Sequence, residues 1–196
     1  MERKAGIESG LKGLDEKETK LRKPNQTEPE LSDKYEFRQI HGDEADQAVQ
    51  IEQICFPKNE ACNPEIMKAR VRIFPETFLV AVSRESEKLV GFINGLATNE
   101  RSLRDDFFTD PTLHENSGSN IMILGVDVLP QYRKQGIARA MMHYYLHREK
   151  DRNRKLVVLT CLSDKVEMYG KFGFRDDGES DSAWGGEKWH EMTYVV

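Results

Sequence analysis

Aromatic residues are missing from the first 34 positions of this 196-residue chain, and that shortage sets its first boundary. Residues 1–34 carry eight basic and eight acidic side chains and no Phe, Tyr or Trp. Such a segment buries too little apolar surface to offset its ordering entropy, so a disordered or loosely helical polar leader is expected there. Tyr35 opens regular apolar clusters, and residues 35–196 are long enough for one domain with a single core. Long apolar runs are missing too. The start Met1-Glu2-Arg3-Lys4 lacks the apolar core of a signal peptide and no later run approaches a membrane span, which predicts a cytoplasmic protein with no membrane partner. Cysteine is scarce: Cys55, Cys62 and Cys161 form no C-x-x-C pair, which fits neither a disulfide framework nor a zinc ribbon and predicts reduced thiols. Excess positive charge is absent as well. The net charge of -5 argues against nucleic acid as a partner and suits a cationic substrate better.

What is present alternates between two periods. Tyr35 to Ile40 alternates as a half-buried strand, and Ala45 to Cys55 follows a helical pattern that Pro57 ends. Pro64 to Arg72 reads as a second helix with Pro in its first turn. Thr77 to Ser83 and Lys88 to Thr98 read as a hairpin, and Asn99 to Asn120 as a polar loop with a helical portion. Asn120 to Val128 is almost wholly apolar except for Asp127, which suits a central strand. A helix over Gly136 to Arg148, a strand over Leu156 to Thr160, a helix over Asp164 to Phe172 and a strand over Lys188 to Val195 complete the expectation. The order implies an α/β fold, a mixed sheet with helices on both faces.

The strand ending at Val128 feeds through Leu129-Pro130-Gln131-Tyr132 into the basic turn Arg133-Lys134-Gln135-Gly136-Ile137-Ala138, which starts a helix. The first N–H groups of a helix lack intrahelical acceptors, so a pyrophosphate can sit on such a turn. Gly136 lets the backbone approach a ligand closely. The spacing is neither a Walker A loop nor a dinucleotide fingerprint. Further on, the helix and turn Tyr169-Gly170-Lys171-Phe172-Gly173-Phe174 present a phenol, which stays protonated at neutral pH and can act as a proton donor.

Arg133-x-x-Gly136-x-Ala138 resembles the acetyl-CoA signature of the GNAT superfamily, and Tyr169 to Phe174 resembles its second half. The resemblance implies a mostly antiparallel twisted sheet flanked by helices. It implies acetyl-CoA as co-substrate, no metal, and Tyr169 as general acid. The backbone of Val126 and Val128 would bind the pantetheine arm, and residues Arg133, Lys134, Gln135, Gly136, Ile137 and Ala138 the pyrophosphate. Ser163 would either cap its helix or bond the coenzyme arm. Gly125 marks either a bulge that splays the strand or a packing site.

The wider pattern, including Phe74-Pro75-Glu76-Thr77, Tyr145-Leu146-His147 and Ser182-Ala183-Trp184-Gly185-Gly186-Glu187-Lys188-Trp189, is similar to the arylalkylamine N-acetyltransferases, non-vertebrate type, over about residues 35–196. That implies direct attack of a small aromatic primary amine on acetyl-CoA, in a monomer or homodimer. A polyamine, aminoglycoside or protein amine as acceptor, or a non-catalytic acyl-CoA sensor, are the alternatives. Two histidines relay the amine proton in vertebrate members, and Met122 and Leu124 stand at those positions here. The relay candidates are therefore His114, Asp127 and Glu52, or water. Phe56, Pro57, Phe74, Pro75, Trp184 and Trp189 either line the amine pocket or pack the fold. Cys161 permits an acetyl-cysteine route, but no neighbouring histidine in the sequence would activate it. His143 and His147 share a helix face without a third ligand, so they read as a solvated face rather than a metal site.

Overall fold

The computed structural model describes residues 28–196. Helix α1 (Glu28–Lys34) runs directly into β1 (Tyr35–Arg38), followed by helices α2 (Ala45–Cys55) and α3 (Pro64–Ile73). The hairpin β2 (Phe78–Ser83) and β3 (Leu89–Thr98) leads to a loop carrying the short helix α4 (Asp106–Thr109). Then come β4 (Asn120–Val128), α5 (Ile137–Asp151), β5 (Leu156–Cys161), α6 (Val166–Gly170), β6 (Arg175–Glu179) and β7 (His190–Val195). The seven strands form one sheet in the order β1-β2-β3-β4-β5-β7-β6, antiparallel throughout except for the parallel pair β4–β5. This is the expected α/β architecture of a mixed, mostly antiparallel sheet between helices.

Alternation along β2 shows how the sheet is covered. Phe78, Val80 and Val82 pack with Ile51 of α2 and Met67 and Val71 of α3. Leu79 and Ala81 turn to the other face, against Ile137, Met141 and Tyr145 of α5. Tyr169 and Phe174 lie in that second cluster, so α6 shares the α5 face. A third cluster joins Phe74, Leu103 and Phe107 to Met122 and Leu124, where the loop after β3 folds back over β4.

Local sequence accounts for the helix ends that frame the site. The Asn63 side chain accepts the Glu65 N–H at 2.8 Å and Pro64 supplies the preset backbone angle at the first helical position, so α3 starts there. Helix α6 is shorter than its pattern suggested, because a 3-10 turn over Ser163–Lys165 precedes it. The last strand begins at His190 rather than Lys188. Strand β6 was not expected at all, since Arg-Asp-Asp-Gly-Glu has no apolar residue and pairs only as an exposed edge on β7. Residues 28–34 of the expected polar leader form α1, and residues 1–27 lie outside the described residues. Among the described residues no helix is long and apolar enough to cross a membrane.

Candidate active site

The parallel pairing of β4 with β5 stops at Met122↔Val158, whereas β4 stays paired with β3 as far as Val128. Beyond Met122 the two central strands therefore diverge and leave a gap in the sheet. On the β3 side, Asn94 faces Gly125 and Gly95 faces Ile123, so Leu124 is the extra residue of a β-bulge beside Gly125. The Leu129 N–H bonds Val90 O at 2.9 Å, and strand alternation then turns the peptide groups of Val128 and Val126 away from β3, toward the gap. These are the two backbone positions expected to meet a pantetheine arm. The Val128 carbonyl is already engaged: Arg133 Nε donates to it at 2.9 Å and the Cys55 thiol at 3.4 Å.

The basic turn closes the end of the gap. Lys134 (φ 63°) and Gly136 (φ 91°) are both left-handed, so the backbone from 133 to 136 curls before α5 begins at Ile137. Alternating conformations of this kind gather N–H groups into an anion-binding concavity at a helix N-terminus. The Ala140 N–H is the first to bond within the helix, to Gly136 O at 3.0 Å, which leaves the N–H groups of Ile137 and Ala138 without intrahelical acceptors. Lys134 is exposed, and the Ile137 side chain is buried under the turn. The Gln135 side chain has a structural task, as its Oε1 accepts from the Tyr35 hydroxyl at 2.9 Å and its Nε2 donates to Gln131 O at 3.4 Å. Ser163 is exposed and does not cap, because the N-cap of its turn is Leu162 and no side-chain cap bond is made.

Tyr169 approaches the gap from the α5 face. Its ring packs edge-on against Phe172 and Phe174, and its hydroxyl has no hydrogen-bond partner among the described residues. Burial, then the Cys161 thiol and the Asp127 carboxyl, push its pKa above the usual phenol value. It therefore keeps its proton across the neutral range, available to an acceptor in the gap. The Cys161 thiol is itself pushed up to about 11, chiefly by burial, and is no thiolate nucleophile at neutral pH.

From the opposite face come Glu52 on α2, Asn94 on β3 and Asp127 on β4, all almost fully buried. They converge on the bulge. A Cβ added at Gly125 would lie 2.7 Å from Asn94 Nδ2, 3.1 Å from Asp127 Oδ2 and 3.5 Å from Glu52 Oε2, so only glycine fits between them. Glu52 Oε1 accepts the Cys62 N–H at 2.9 Å, which leaves Oε2 without a donor. Arg70 of α3 lies behind the group. Its Nη1 donates to Asn94 Oδ1 at 3.1 Å, and its Nη2 to Phe108 O at 2.8 Å and Phe107 O at 3.3 Å. A guanidinium has no acceptor, so this bond fixes the Asn94 amide with its unpartnered Nδ2 toward Gly125. Burial raises the pKa of both Glu52 and Asp127, and the charge of Glu52 adds to the rise at Asp127.

His114, by contrast, is outside this group. Its Nδ1 accepts the Ala97 N–H at 3.2 Å, its ring stacks on Phe74 at 4.4 Å, and Nε2 lies 3.4 Å from Glu76 Oε1. Ala97 is three residues from Asn94 along β3, roughly 10 Å at strand rise. Burial lowers the pKa of His114, so it stays neutral and structural. Phe74 is fully buried against it and forms no pocket wall. His143 and His147 sit with ring centroids 5.2 Å apart, and no metal-binding cluster of three ligands occurs among the described residues.

Three loops meet near this site. Trp184 stacks on Phe108 at 4.9 Å and donates through Nε1 to Glu60 O at 2.8 Å, while Trp189 Nε1 donates to Trp184 O at 2.9 Å. Asn59 Nδ2 donates to Gly185 O at 2.7 Å, and the Ser182 hydroxyl to Asp105 Oδ1 at 2.5 Å. Because Arg70 also holds the Phe107 and Phe108 carbonyls, this half-buried aromatic pair is tied to the Asn94 bulge. Arg70 and Asn94 were not anticipated from the sequence. The available signal was polarity out of place: Arg70 on the buried stripe with Met67 and Val71, and Asn94 inside the wholly buried run of β3.

Comparison with known proteins gives one family. The model described as the Acetyltransferase (GNAT) family matches residues 45–174. Among solved structures, the loading GNATL domain of CurA from Lyngbya majuscula superposes with a TM-score of 0.69 at 15% identity, over 82% of this chain and 97% of that one. NAA60 of Arabidopsis thaliana in complex with a bisubstrate analogue superposes with a TM-score of 0.62 at 20% identity, over 83% and 98%. The ribosomal-protein-S18-alanine N-acetyltransferase of Escherichia coli gives 0.59 at 14% identity, over 83% and 94%. No curated protein sequence matches the chain.

Proposed function

Since the chain belongs to the acetyltransferase (GNAT) family, we propose that it acetylates a small aromatic primary amine with acetyl-CoA by direct attack in a ternary complex. One observation carries the reading. The Glu52 carboxylate, whose Oε2 has no partner among the described residues, and the Tyr169 hydroxyl, likewise without one there, lie on opposite faces of the sheet at the end where β4 leaves β5, beside an anion-binding turn. An amine arrives mostly protonated and needs a proton acceptor; the expelled thiolate needs a donor. Glu52 takes one proton from the ammonium and passes it to solvent, nitrogen attacks the thioester carbonyl carbon, and Glu52 takes the second nitrogen proton as the C–S bond breaks and Tyr169 O–H protonates sulfur. Return of a proton from Glu52 to Tyr169 through solvent resets the site.

The Val126 and Val128 peptides, facing the gap, serve the pantetheine amides. The turn from Arg133 to Ala138 serves the pyrophosphate through its backbone N–H groups, and Lys134 adds charge. Gly136→Ala tests that assignment. A Cβ there has room, its nearest neighbour being Leu31 Cδ1 at 4.0 Å, but φ 91° strains any L residue. A rise of about tenfold in the KM for acetyl-CoA is expected, corresponding to about 1.4 kcal/mol of binding, with a smaller change in kcat. An unchanged KM would remove the turn from the coenzyme site.

The acceptor class rests on the stacked Phe108–Trp184 pair and the buried carboxylates, a setting for an aromatic cation, together with the likeness to arylalkylamine acetyltransferases. Turnover measured across amines decides it. Tryptamine and phenethylamine are expected to exceed spermidine and a peptide α-amine by at least about tenfold in kcat/KM, the yield of one well-filled apolar contact. Equal or better turnover of spermidine or the peptide would sink the aromatic acceptor, and coenzyme binding without thiol release from any amine would make the protein a sensor.

A further inference from the structure

Two carboxyl groups meet in the dry interior behind the bulge, and only one is needed to accept a proton from an amine. Glu52 Oε2 and Asp127 Oδ2 converge on Gly125, 3.5 Å and 3.1 Å from where a Cβ would lie there, and Asp127 is completely shielded from solvent. Two like charges brought together in a low-dielectric interior repel strongly, so such pairs retain a proton. One positive charge lies behind them. Arg70 balances a single negative charge, and its guanidinium bonds Asn94 and two backbone carbonyls rather than a carboxylate.

Hydrogen bonding decides which partner holds the proton. Glu52 Oε1 accepts the Cys62 backbone N–H, a bond that favours its ionised form. Neither oxygen of Asp127 receives a backbone or nitrogen donor, and the neighbouring Cys55 thiol gives its one proton to the Val128 carbonyl. The other groups facing the pair are Cys62 on the loop before α3, Arg133 on the coenzyme turn and Tyr169 on α6. Cys55 and Cys62 are held as neutral thiols, pushed up to about 12 and about 11 by burial.

We propose that Glu52 and Asp127 work as a pair carrying one proton between them, with Asp127 a positioning residue that keeps the proton and hydrogen-bonds Glu52, whose free oxygen is presented to the amine. The inference rests on the reading of Glu52 as proton acceptor and deepens it. Asp127 orients Glu52 Oε2 toward Gly125 and stabilises its negative charge in a place where water does not. Without that bond Glu52 would take up its own proton at a higher pH and lose its capacity as a base.

Carboxyl carbon NMR of the labelled full-length protein tests the pair directly. Near neutral pH one carboxyl resonance is expected in its protonated position, and it disappears in Asp127→Asn. Absence of a protonated carboxyl, or its survival in Asp127→Asn, overturns the proposal. Kinetics supply the readout that a merely structural residue would not move. Asp127→Ala is expected to shift the acidic limb of kcat/KM upward by about one pH unit or more, while Asp127→Asn, which retains a donor, restores most of the wild-type position. A limb that stays in place makes Asp127 structural. A limb that moves downward shows that Asp127 was charged, its removal relieving repulsion. Should the alanine variant fail to fold, the spectrum and the profile of Asp127→Asn still decide. Failure of every amine in the acetylation assay would refute the functional reading while the NMR result continued to judge the pair.

Discussion

Tyr169→Phe is expected to lower kcat by about 10²-fold while the KM values for amine and acetyl-CoA stay within about twofold, because general-acid groups contribute about 10²–10⁴ and a thiolate is an undemanding leaving group. The substitution removes one oxygen and nothing else. The ring stays packed between Phe172 and Phe174, and the hydroxyl has no partner among the described residues to be orphaned. Thermal stability should therefore be unchanged or slightly higher, which separates a catalytic loss from a folding one. Burial holds the phenol pKa above its ordinary value, so the proton is present throughout the range in which an amine can attack. Cys161→Ala is the companion measurement. That thiol is also raised by burial, and direct transfer predicts that most activity survives its loss. The opposite pattern, with Tyr169→Phe active and Cys161→Ala inactive, would replace direct transfer by an acetyl-cysteine route.

The parts of this site that were legible in the sequence are those whose chemistry is local. The turn from Arg133 to Ala138 is contiguous, follows a buried strand and opens a helix, so its anion-binding geometry follows from the backbone alone. Tyr169 lies on a short helix whose neighbours Phe172 and Phe174 orient it. Strand β4 announced itself by an apolar run broken only by Asp127. Illegible was everything that depends on which face of the sheet a helix covers. Glu52, Asp127 and His114 were equal candidates for the amine proton, since alternation places Asp127 on one face of β4 without saying that α2 covers it. Packing separates them: Glu52 and Asp127 converge on Gly125, whereas His114 closes the end of β3 through Ala97. The aromatic pair was equally hidden. Phe108 and Trp184 are 76 residues apart and meet only because Asp105, in the loop of Phe108, and Asn59, in another loop, hold the Trp184 segment in place. Strand β6 has no apolar pattern of its own, and its pairing comes from β7.

Arg70→Met should cost about 3 kcal/mol or more, a fall of about 6–12 °C in Tm for a chain of this size. Methionine fills the space of the apolar stem but replaces none of the three hydrogen bonds. It leaves Asn94 Oδ1 and the Phe107 and Phe108 carbonyls without their donor, and the charge of Glu52 without its nearest balance. Arg70→Lys retains the charge and loses the fork, so an intermediate fall is expected. The informative variant is the double one. If the loss in Arg70→Met comes partly from an isolated buried carboxylate, adding Glu52→Gln should recover about 1 kcal/mol, a coupling measurable by denaturant titration of the four proteins. Strict additivity would assign the whole effect to the unpaired carbonyls and the Asn94 amide. A recovery would show that the site's negative charge is carried at a cost in stability, with Arg70 limiting that cost from behind the bulge.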